Sequence, residues 1–310
     1  MKILSLFDGM SCGQIALNRA GIEYDEYYAS EIDKYAMIVT KCNYPNTKHI
    51  GDVTKIKSSD LPQIDLLIGG SPCQSFSGLG DGSGFNGKSK LFFEYLRILE
   101  ATNPKYFLLE NVKMKNEWRD KISEYVGVEP IEINSNLVSA QNRSRYYWTN
   151  IQGIVQPENK NIFISDIIED NVDDKYFLSP KAMKYILDAT RLNKKYTDIA
   201  SNKSNALLAG YTRLNGTFVC VDCNGKTMID KIGALTQRYA KGVASFGGDT
   251  FISDLSMEKI RRFTPLECER LQTVPDNYTN HVSDTQRYKM LGNGWTVDVI
   301  SHIFKNIKKC

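Results

Sequence analysis

The first 112 residues repeat one pattern: a short, mainly apolar run stops at glycine or a carboxylate, and an amphipathic stretch follows. The runs are Met1–Leu6, Tyr27–Ser30, Leu66–Ile68 and Tyr106–Leu109, and the amphipathic stretches are 13–20, 34–42 and 92–101. Runs without polar alternation suit strands buried on both faces. Helices between them place such strands parallel in one sheet, with right-handed crossovers. The fold class read from this pattern is α/β. A further segment opens at Val138 and ends in Tyr146-Tyr147-Trp148.

After Ile151 the pattern stops. Residues 166–260 are rich in Asn, Thr, Gly and Lys, with brief alternating runs such as Thr217–Val221, and they predict a small, mostly β insert. Helical patterning returns at Thr264–Leu271, where Glu267 stands three residues after Thr264 as a capping-box pair. A last helix over 296–307 returns the chain to the first fold. The expected division is a first domain over 1–165, completed by 284–310, and a small second domain over 166–283.

Length and composition agree with this. At 310 residues, 42% hydrophobic and 24% charged, the chain has the makings of two globular domains, and a rod or wholesale disorder is excluded. It contains no run of about 18 apolar residues that would span a membrane. The N-terminus passes straight from MKILSLF to Asp8 and Gly9, unlike a signal peptide. Seven scattered cysteines, an odd number, fit a reducing compartment better than a disulfide framework, so a cytoplasmic location is expected. Cys220-x-x-Cys223 has no second pair at ligand spacing and reads as two cysteines of a β-hairpin, so no metal is expected. Only three histidines are present, which supplies a His-based site poorly. The net charge of +3 is uneven. Between Lys175 and Arg262 there are 15 Lys/Arg against 7 Asp/Glu, a surplus of eight that leaves the remainder at −5. A basic insert on an acidic body suits a polyanion; a solvated basic face is the alternative.

Chemistry-bearing residues cluster where the apolar runs end. The turn Phe7-Asp8-Gly9-Met10-Ser11-Cys12-Gly13 has two glycines that let the backbone approach a ligand. Glu31 stands some 20 residues on, where an acidic residue holds ribose hydroxyls, and Asp52 follows a third short run. The three point to a nucleoside cofactor, either a dinucleotide or S-adenosylmethionine. Cys73, after Pro72 in GGSPCQS, is presented by a rigid turn among Gly and Ser; it reads as a nucleophile or as a small buried hydrophobe. Five glycines between Gly78 and Gly87 suit a lid. Glu110 closes another apolar run, and the strand ends of a parallel sheet share one edge, which would bring Glu110 and Cys73 to one ligand. Arg143 and Arg145 alternate in QNRSR and would share a face if extended, ready for phosphate or carbonyl oxygens or simply exposed on an edge strand.

Together these pieces resemble the DNA cytosine carbon-5 methyltransferases. The matching blocks run in the family's order: LFDGMSCG, Glu31, GDV with Asp52, GGSPCQSFS, FLLENV, QNRSR, RRFTPLECERLQTVPDNY and MLGNGW. SPC in place of the commoner PPC, LFFEY, VSAQNRSRYYW and Gly294-Trp295 resemble the branch of the animal de novo enzymes. The short chain, without chromatin-reading domains, looks like a stand-alone bacterial or phage enzyme.

The resemblance implies a Rossmann-like S-adenosylmethionine-dependent methyltransferase sheet carrying a target-recognition insert. It assigns Cys73 as nucleophile on a flipped-out cytosine, Glu110 to ring nitrogen 3 and the exocyclic amine, Arg145 to the ring carbonyl, and Arg143 to support of the site or a phosphate. It places S-adenosylmethionine against Phe7, Asp8, Gly9, Gly13, Glu31, Ile32 and Asp52, with Pro72 and Leu91 as weaker candidates, and against Asn293, Trp295 and Thr296 of the last motif. Most relatives carry Gly-Asn-Ala/Ser after the leucine there, whereas this chain reads Gly292-Asn293-Gly294-Trp295. Ser75, Gln237, Arg238 and Lys241 are the expected DNA contacts. The expected partners are double-stranded DNA and a cognate restriction endonuclease, with the enzyme a monomer. The branch that methylates a transfer-RNA anticodon loop lacks a large recognition insert, whereas about 95 residues occupy that place here.

Overall fold

The computed structural model describes residues 1–72, 90–180, 204–205, 218–221 and 259–307. Cys73, Ser75, Gln237, Arg238, Lys241, Cys223 and the glycine-rich 78–87 lie outside the described residues. The chain divides into two compact units. The first comprises Met1–Asn134, Ser144–Pro157 and Trp295–Cys310, and the second Ser135–Arg143 and Glu158–Gly294.

The first unit is built on a seven-stranded sheet. Its strands are β1 (Lys2–Leu6), β2 (Glu26–Ser30), β3 (Lys48–His49), β4 (Leu66–Gly70), β5 (Tyr106–Val112) and β6 (Ile131–Asn134), with β8 (Ser144–Thr149) entering after a short β7 (Gln141–Asn142) that belongs to the second unit. The order is β3-β2-β1-β4-β5-β8-β6. Pairs β1–β2, β2–β3, β1–β4 and β4–β5 are parallel. The chain leaves β1 toward β2 on one side and later takes up β4 on the other, which opens a crevice at the carboxyl ends of β1 and β4.

Helices α1 (Cys12–Ala20), α2 (Lys34–Asn43), α3 (Lys90–Thr102) and α4 (Asn116–Val126) connect the strands. Local chemistry sets their ends. Gly21 closes α1 in the left-handed region at φ 67°, and the Asp33 carboxylate caps α2 by accepting from the Tyr35 amide at 2.9 Å. On one face of the sheet Leu4, Leu67, Phe92, Ile98, Leu109 and Trp148 are fully buried. Burial of each such side chain is worth about 1.5–3 kcal/mol. The Trp148 indole N–H, buried with them, donates to Ser123 Oγ at 3.1 Å.

Five features differ from the sequence reading. The sheet is not wholly parallel: β8 runs antiparallel to β5 and to β6. Glu110 lies inside β5, which continues to Val112, rather than closing the run. Arg143 and Arg145 do not share a strand face. The chain breaks at Arg143 between β7 and β8, so each arginine belongs to a different unit. Strand β6 and helix α4 were not anticipated. Residues 135–143, 158–165 and 284–294, expected with the first domain, group with the second unit.

In the second unit β7 pairs parallel with β9 (Ser204–Asn205), and β10 (Phe218–Val221) pairs antiparallel with β11 (Lys259–Arg262). Two helices follow, α5 (Pro265–Leu271) and α6 (Asp284–Asn293). The capping box at α5 forms: Thr264 Oγ1 accepts from the Glu267 amide at 3.1 Å and the Glu267 carboxylate accepts from the Thr264 amide at 2.7 Å. The same carboxylate takes both terminal nitrogens of Arg261 at 2.7 Å, with the two side chains 0% and 1% exposed. The last helix, α7 (Val297–Phe304), belongs to the first unit and packs against α1, where Arg19 pairs with Asp298 at 2.8 Å. No helix among the described residues is long and apolar enough to cross a membrane.

Glu267→Ala is expected to destabilise the protein by about 3–5 kcal/mol, because the buried Arg261 guanidinium then has no counter-charge. Urea denaturation followed by circular dichroism measures it; a loss below 1 kcal/mol would show that the pair is expendable.

Candidate active site at the carboxyl ends of the strands

The turn after β1 is held from beneath. Phe7 and Ser11 adopt positive φ (57° and 59°), as does Gly9 (59°), so the backbone turns sharply and the Gly9 amide points out of the turn. Beneath it Asp8 is buried. Its carboxylate accepts from the Tyr27 hydroxyl at 2.7 Å and from the Ser11 hydroxyl. Ser11 is continued by Gln14, whose amide nitrogen also reaches Thr47 at 2.8 Å and whose oxygen accepts from Tyr24 at 2.9 Å. Burial pushes the Asp8 carboxyl up to about 6, against the opposing pull of its hydroxyl donors.

Glu31 follows β2. Its Oε2 accepts from the Gly9 amide at 2.7 Å, and its Oε1 accepts from the Ile32 and Asp33 amides at 2.8 and 2.7 Å. A carboxylate has about four acceptor positions, so Oε2 keeps one for a hydroxyl. The Ile32 side chain beside it is 76% exposed, an apolar surface at the rim of the crevice. Ser30 donates to the Gly51 carbonyl at 2.7 Å and draws in the loop that carries Asp52. Thr54 donates to Asp52 through its amide and its hydroxyl, which holds that carboxyl below its ordinary range. Arg97 on α3 fixes the same loop by donating to the Val53 and Ile56 carbonyls at 3.1 and 2.9 Å.

The other end of the crevice carries a second group. Gly70, the last residue of β4, lies in register with Glu110 of β5. Arg145 Nε on β8 stands 3.1 Å from Glu110 Oε1, and the Trp295 indole N–H donates to Glu110 Oε2 at 3.2 Å. Asn111 is buried and donates to Ser71 Oγ at 3.1 Å, tying β5 to the turn that leads to Cys73.

The sequence-derived residues thus fall into groups. Phe7, Gly9, Glu31, Ile32 and Asp52 meet around the turns after β1 and β2; Glu110, Arg145 and Trp295 meet at β4 and β5. Asp8 faces inward and braces the turn. Gly13 serves packing, since a Cβ there would come within 2.5 Å of Ile68 Cδ1 and 2.7 Å of the Tyr27 hydroxyl. Leu91 packs against the core, Pro72 is half-buried at the end of the described stretch, and Thr296 is buried at the start of α7. Arg143, in the second unit, donates to the Gly292 and Gly294 carbonyls at 3.4 and 3.1 Å, and Asn293 is exposed at the end of α6. The reading missed Ser30, Tyr27, Arg97 and Asn111. Only Asn111 left a signal, standing directly after Glu110.

A family model described as C-5 cytosine-specific DNA methylase matches residues 1–123 and 133–309. The chain belongs to the C-5 cytosine-specific DNA methylase family. It is a cytosine-5 DNA methyltransferase that uses S-adenosylmethionine. The type II methyltransferase M1.ScrFI of Lactococcus lactis subsp. cremoris is 32% identical over 97% of this chain and 76% of its own length. The type II methyltransferase M.NlaX of Neisseria lactamica is 29% identical over 99% of this chain and 96% of its own. Among solved structures, the Dnmt2 methyltransferase of S. pombe superposes with TM-score 0.67 at 20% identity, over 97% of this chain and 96% of that one. The Entamoeba histolytica methyltransferase EhMeth reaches 0.72 at 16%, over 100% and 99%. At these identities the structural likeness speaks for the fold.

The residues at the turns after β1 and β2 fit S-adenosylmethionine by their chemistry: a carboxylate oxygen with a free acceptor position for a ribose hydroxyl, an exposed aliphatic surface for a purine face, and a second carboxylate on the Asp52 loop. Asp8, by contrast, works through the fold. Its carboxyl is protonated more readily in the folded protein than in the unfolded chain, where it titrates near 3.8. Its contribution to stability is therefore fully present below 3.8 and is lost as pH rises through 6, about 3 kcal/mol in all. Asp8→Asn is expected to remove this pH dependence. Thermal melts of both proteins between pH 4 and 7 test it, and parallel profiles would contradict the assignment.

Proposed function

We propose that the protein methylates carbon 5 of a cytosine flipped out of double-stranded DNA, through a covalent adduct on Cys73, as the sequence-specific modification enzyme of a restriction-modification system or of phage or host DNA protection. The observation that carries this reading is the Glu110 carboxylate inside β5, flanked by Arg145 and the Trp295 indole at the edge where the SPC turn begins. The names of relatives as type II methyltransferases support the modification role. The action is placed in the cytoplasm, on the nucleoid.

Carbon 5 of cytosine is a poor nucleophile. Addition of the Cys73 thiolate to carbon 6 forms a C–S bond and moves the ring's π electrons toward nitrogen 3, making carbon 5 an enamine carbon. Glu110 binds nitrogen 3 and the exocyclic amine and supplies the proton that nitrogen takes up. Arg145 binds the ring carbonyl. S-adenosylmethionine, when bound, supplies an electrophilic methyl group, and Glu31, Ile32 and Asp52 are assigned to hold it. Once carbon 5 carries the methyl group, loss of its proton to solvent restores the ring double bond and expels the thiolate, and nitrogen 3 returns its proton to Glu110. The base must leave the duplex for any of this, at a few kcal/mol of unstacking. The surplus of eight positive charges between Lys175 and Arg262 supplies phosphate contacts, and Ser75, Gln237, Arg238 and Lys241 are the proposed DNA-contacting residues. Of its two expected roles, support of the site or a phosphate contact, Arg143 is assigned to support, through its two carbonyl contacts within the second unit.

A target cytosine carrying fluorine at carbon 5 tests the reading. After methyl transfer no proton can leave, so the enzyme should stay joined to duplex DNA through Cys73 as a denaturation-resistant complex. Formation should require S-adenosylmethionine and vanish in Cys73→Ala. An adduct mapped to Cys12 or Cys268, or trapping of RNA in place of DNA, would overturn the assignment.

A further inference from the structure

We infer that Trp295 is a positioning residue for methyl transfer: its indole N–H fixes the rotation of the Glu110 carboxyl group. The inference rests on the reading of Glu110 given above and goes beyond the expectation that Trp295 is a wall of the cofactor site.

Four observations place it. The Trp295 Nε1–Glu110 Oε2 contact, at 3.2 Å, is the aligned hydrogen bond to this carboxylate among the described residues. Arg145 Nε lies 3.1 Å from Oε1 but off hydrogen-bond alignment, so the guanidinium supplies charge without setting direction. Gly70 makes the room: a Cβ there would come 2.9 Å from Glu110 Oε2 and 3.0 Å from Trp295 Nε1. The backbone that carries the indole is anchored, because Trp295 leads into α7, whose Val297, Val299, Ile300, Ile303 and Phe304 are buried. An indole N–H is a donor only and does not titrate near neutrality. It can therefore hold one carboxyl oxygen without competing for the proton that Glu110 must deliver. With Oε2 held, the carboxyl plane is fixed before a base arrives, and a preset plane removes reorganisation from the proton-transfer step.

Steady-state kinetics on Trp295→Phe, Glu110→Gln, the double variant, Gly70→Ala and Trp295→His test this. Trp295→Phe keeps an aromatic ring and loses the N–H. Its kcat should fall about 10- to 100-fold, the scale of a hydrogen bond to a charged group, with KM for S-adenosylmethionine and for DNA within about twofold of the parent. The double variant should be no slower than Glu110→Gln alone, since without the acid there is nothing to position. Gly70→Ala crowds the Glu110 carboxyl as well as the indole and should lower kcat too. Trp295→His, which keeps a ring N–H, should retain more turnover than Trp295→Phe, and it decides the matter should Trp295→Phe fail to fold. A raised KM for S-adenosylmethionine at unchanged kcat, or losses that multiply in the double variant, would overturn the inference and leave Trp295 a cofactor wall. Near-normal turnover of Glu110→Gln would instead overturn the reading of Glu110. Glu110→Gln slowed 100- to 10,000-fold beside a Trp295→Phe variant of normal kcat would overturn the inference alone.

Discussion

The register between β4 and β5 governs the site. Gly69 pairs with Leu109 and Gly70 with Glu110, so the carboxylate emerges beside a residue that has no side chain to displace it. One residue of slip would send Glu110 to the opposite face, since side chains alternate along a strand. The buried run Leu108 and Leu109 forbids that slip, because it would carry apolar groups out of the core. Asn111, one residue on, then reaches Ser71 and ties the next turn to the same register. A packing requirement deep in the sheet thereby sets the position of a reactive group at its rim.

The sheet was largely legible in the sequence, and the reason is physical. Strands buried on both faces read as short apolar runs, and the turns at their carboxyl ends must be glycine-rich or polar. The parallel direction of β1 to β5 was legible, and that of β8 was not. Nothing in Tyr146-Tyr147-Trp148 says that β8 runs antiparallel, because an apolar run packs equally well either way and the direction is set by the path of the preceding chain. The alternation of Arg143 and Arg145 misled for a related reason. Period-2 spacing implies a shared face only while one strand lasts, and here the chain changes unit between the two. Helix α4 carries mostly polar residues with Ile122 and Ser123 buried, too weak an apolar stripe to read.

At the site itself the residue types were legible and their partners were not. Asp8 sits in the motif as if to meet the ligand, yet its carboxylate turns inward to Tyr27 and Ser11. The signal would have had to come from Tyr27, a residue of β2 that is distant in sequence and brought close only by the β1–β2 pairing. Trp295 is the same case on a larger scale: 185 residues separate it from Glu110. A motif names the groups that chemistry needs, whereas long-range pairing decides which of them face the ligand.

Three carboxylates at one sheet edge show how environment divides their roles. Asp8 is buried, and burial outweighs its hydroxyl donors, so the protonated form is favoured and the residue serves as a brace. Glu31 accepts three backbone amides, which fix its carboxylate beside the turn above β1 and leave one acceptor position on Oε2. Glu110 has a guanidinium on one oxygen and an indole N–H on the other. The first partner carries charge and the second direction, and a group that must hold a ring nitrogen and pass it a proton needs both. Exchanging any two of these environments would leave the same residues at the same edge with no chemistry to perform. The division of labour therefore lies in Tyr27, the amides after β2, and Trp295, more than in the carboxylates themselves.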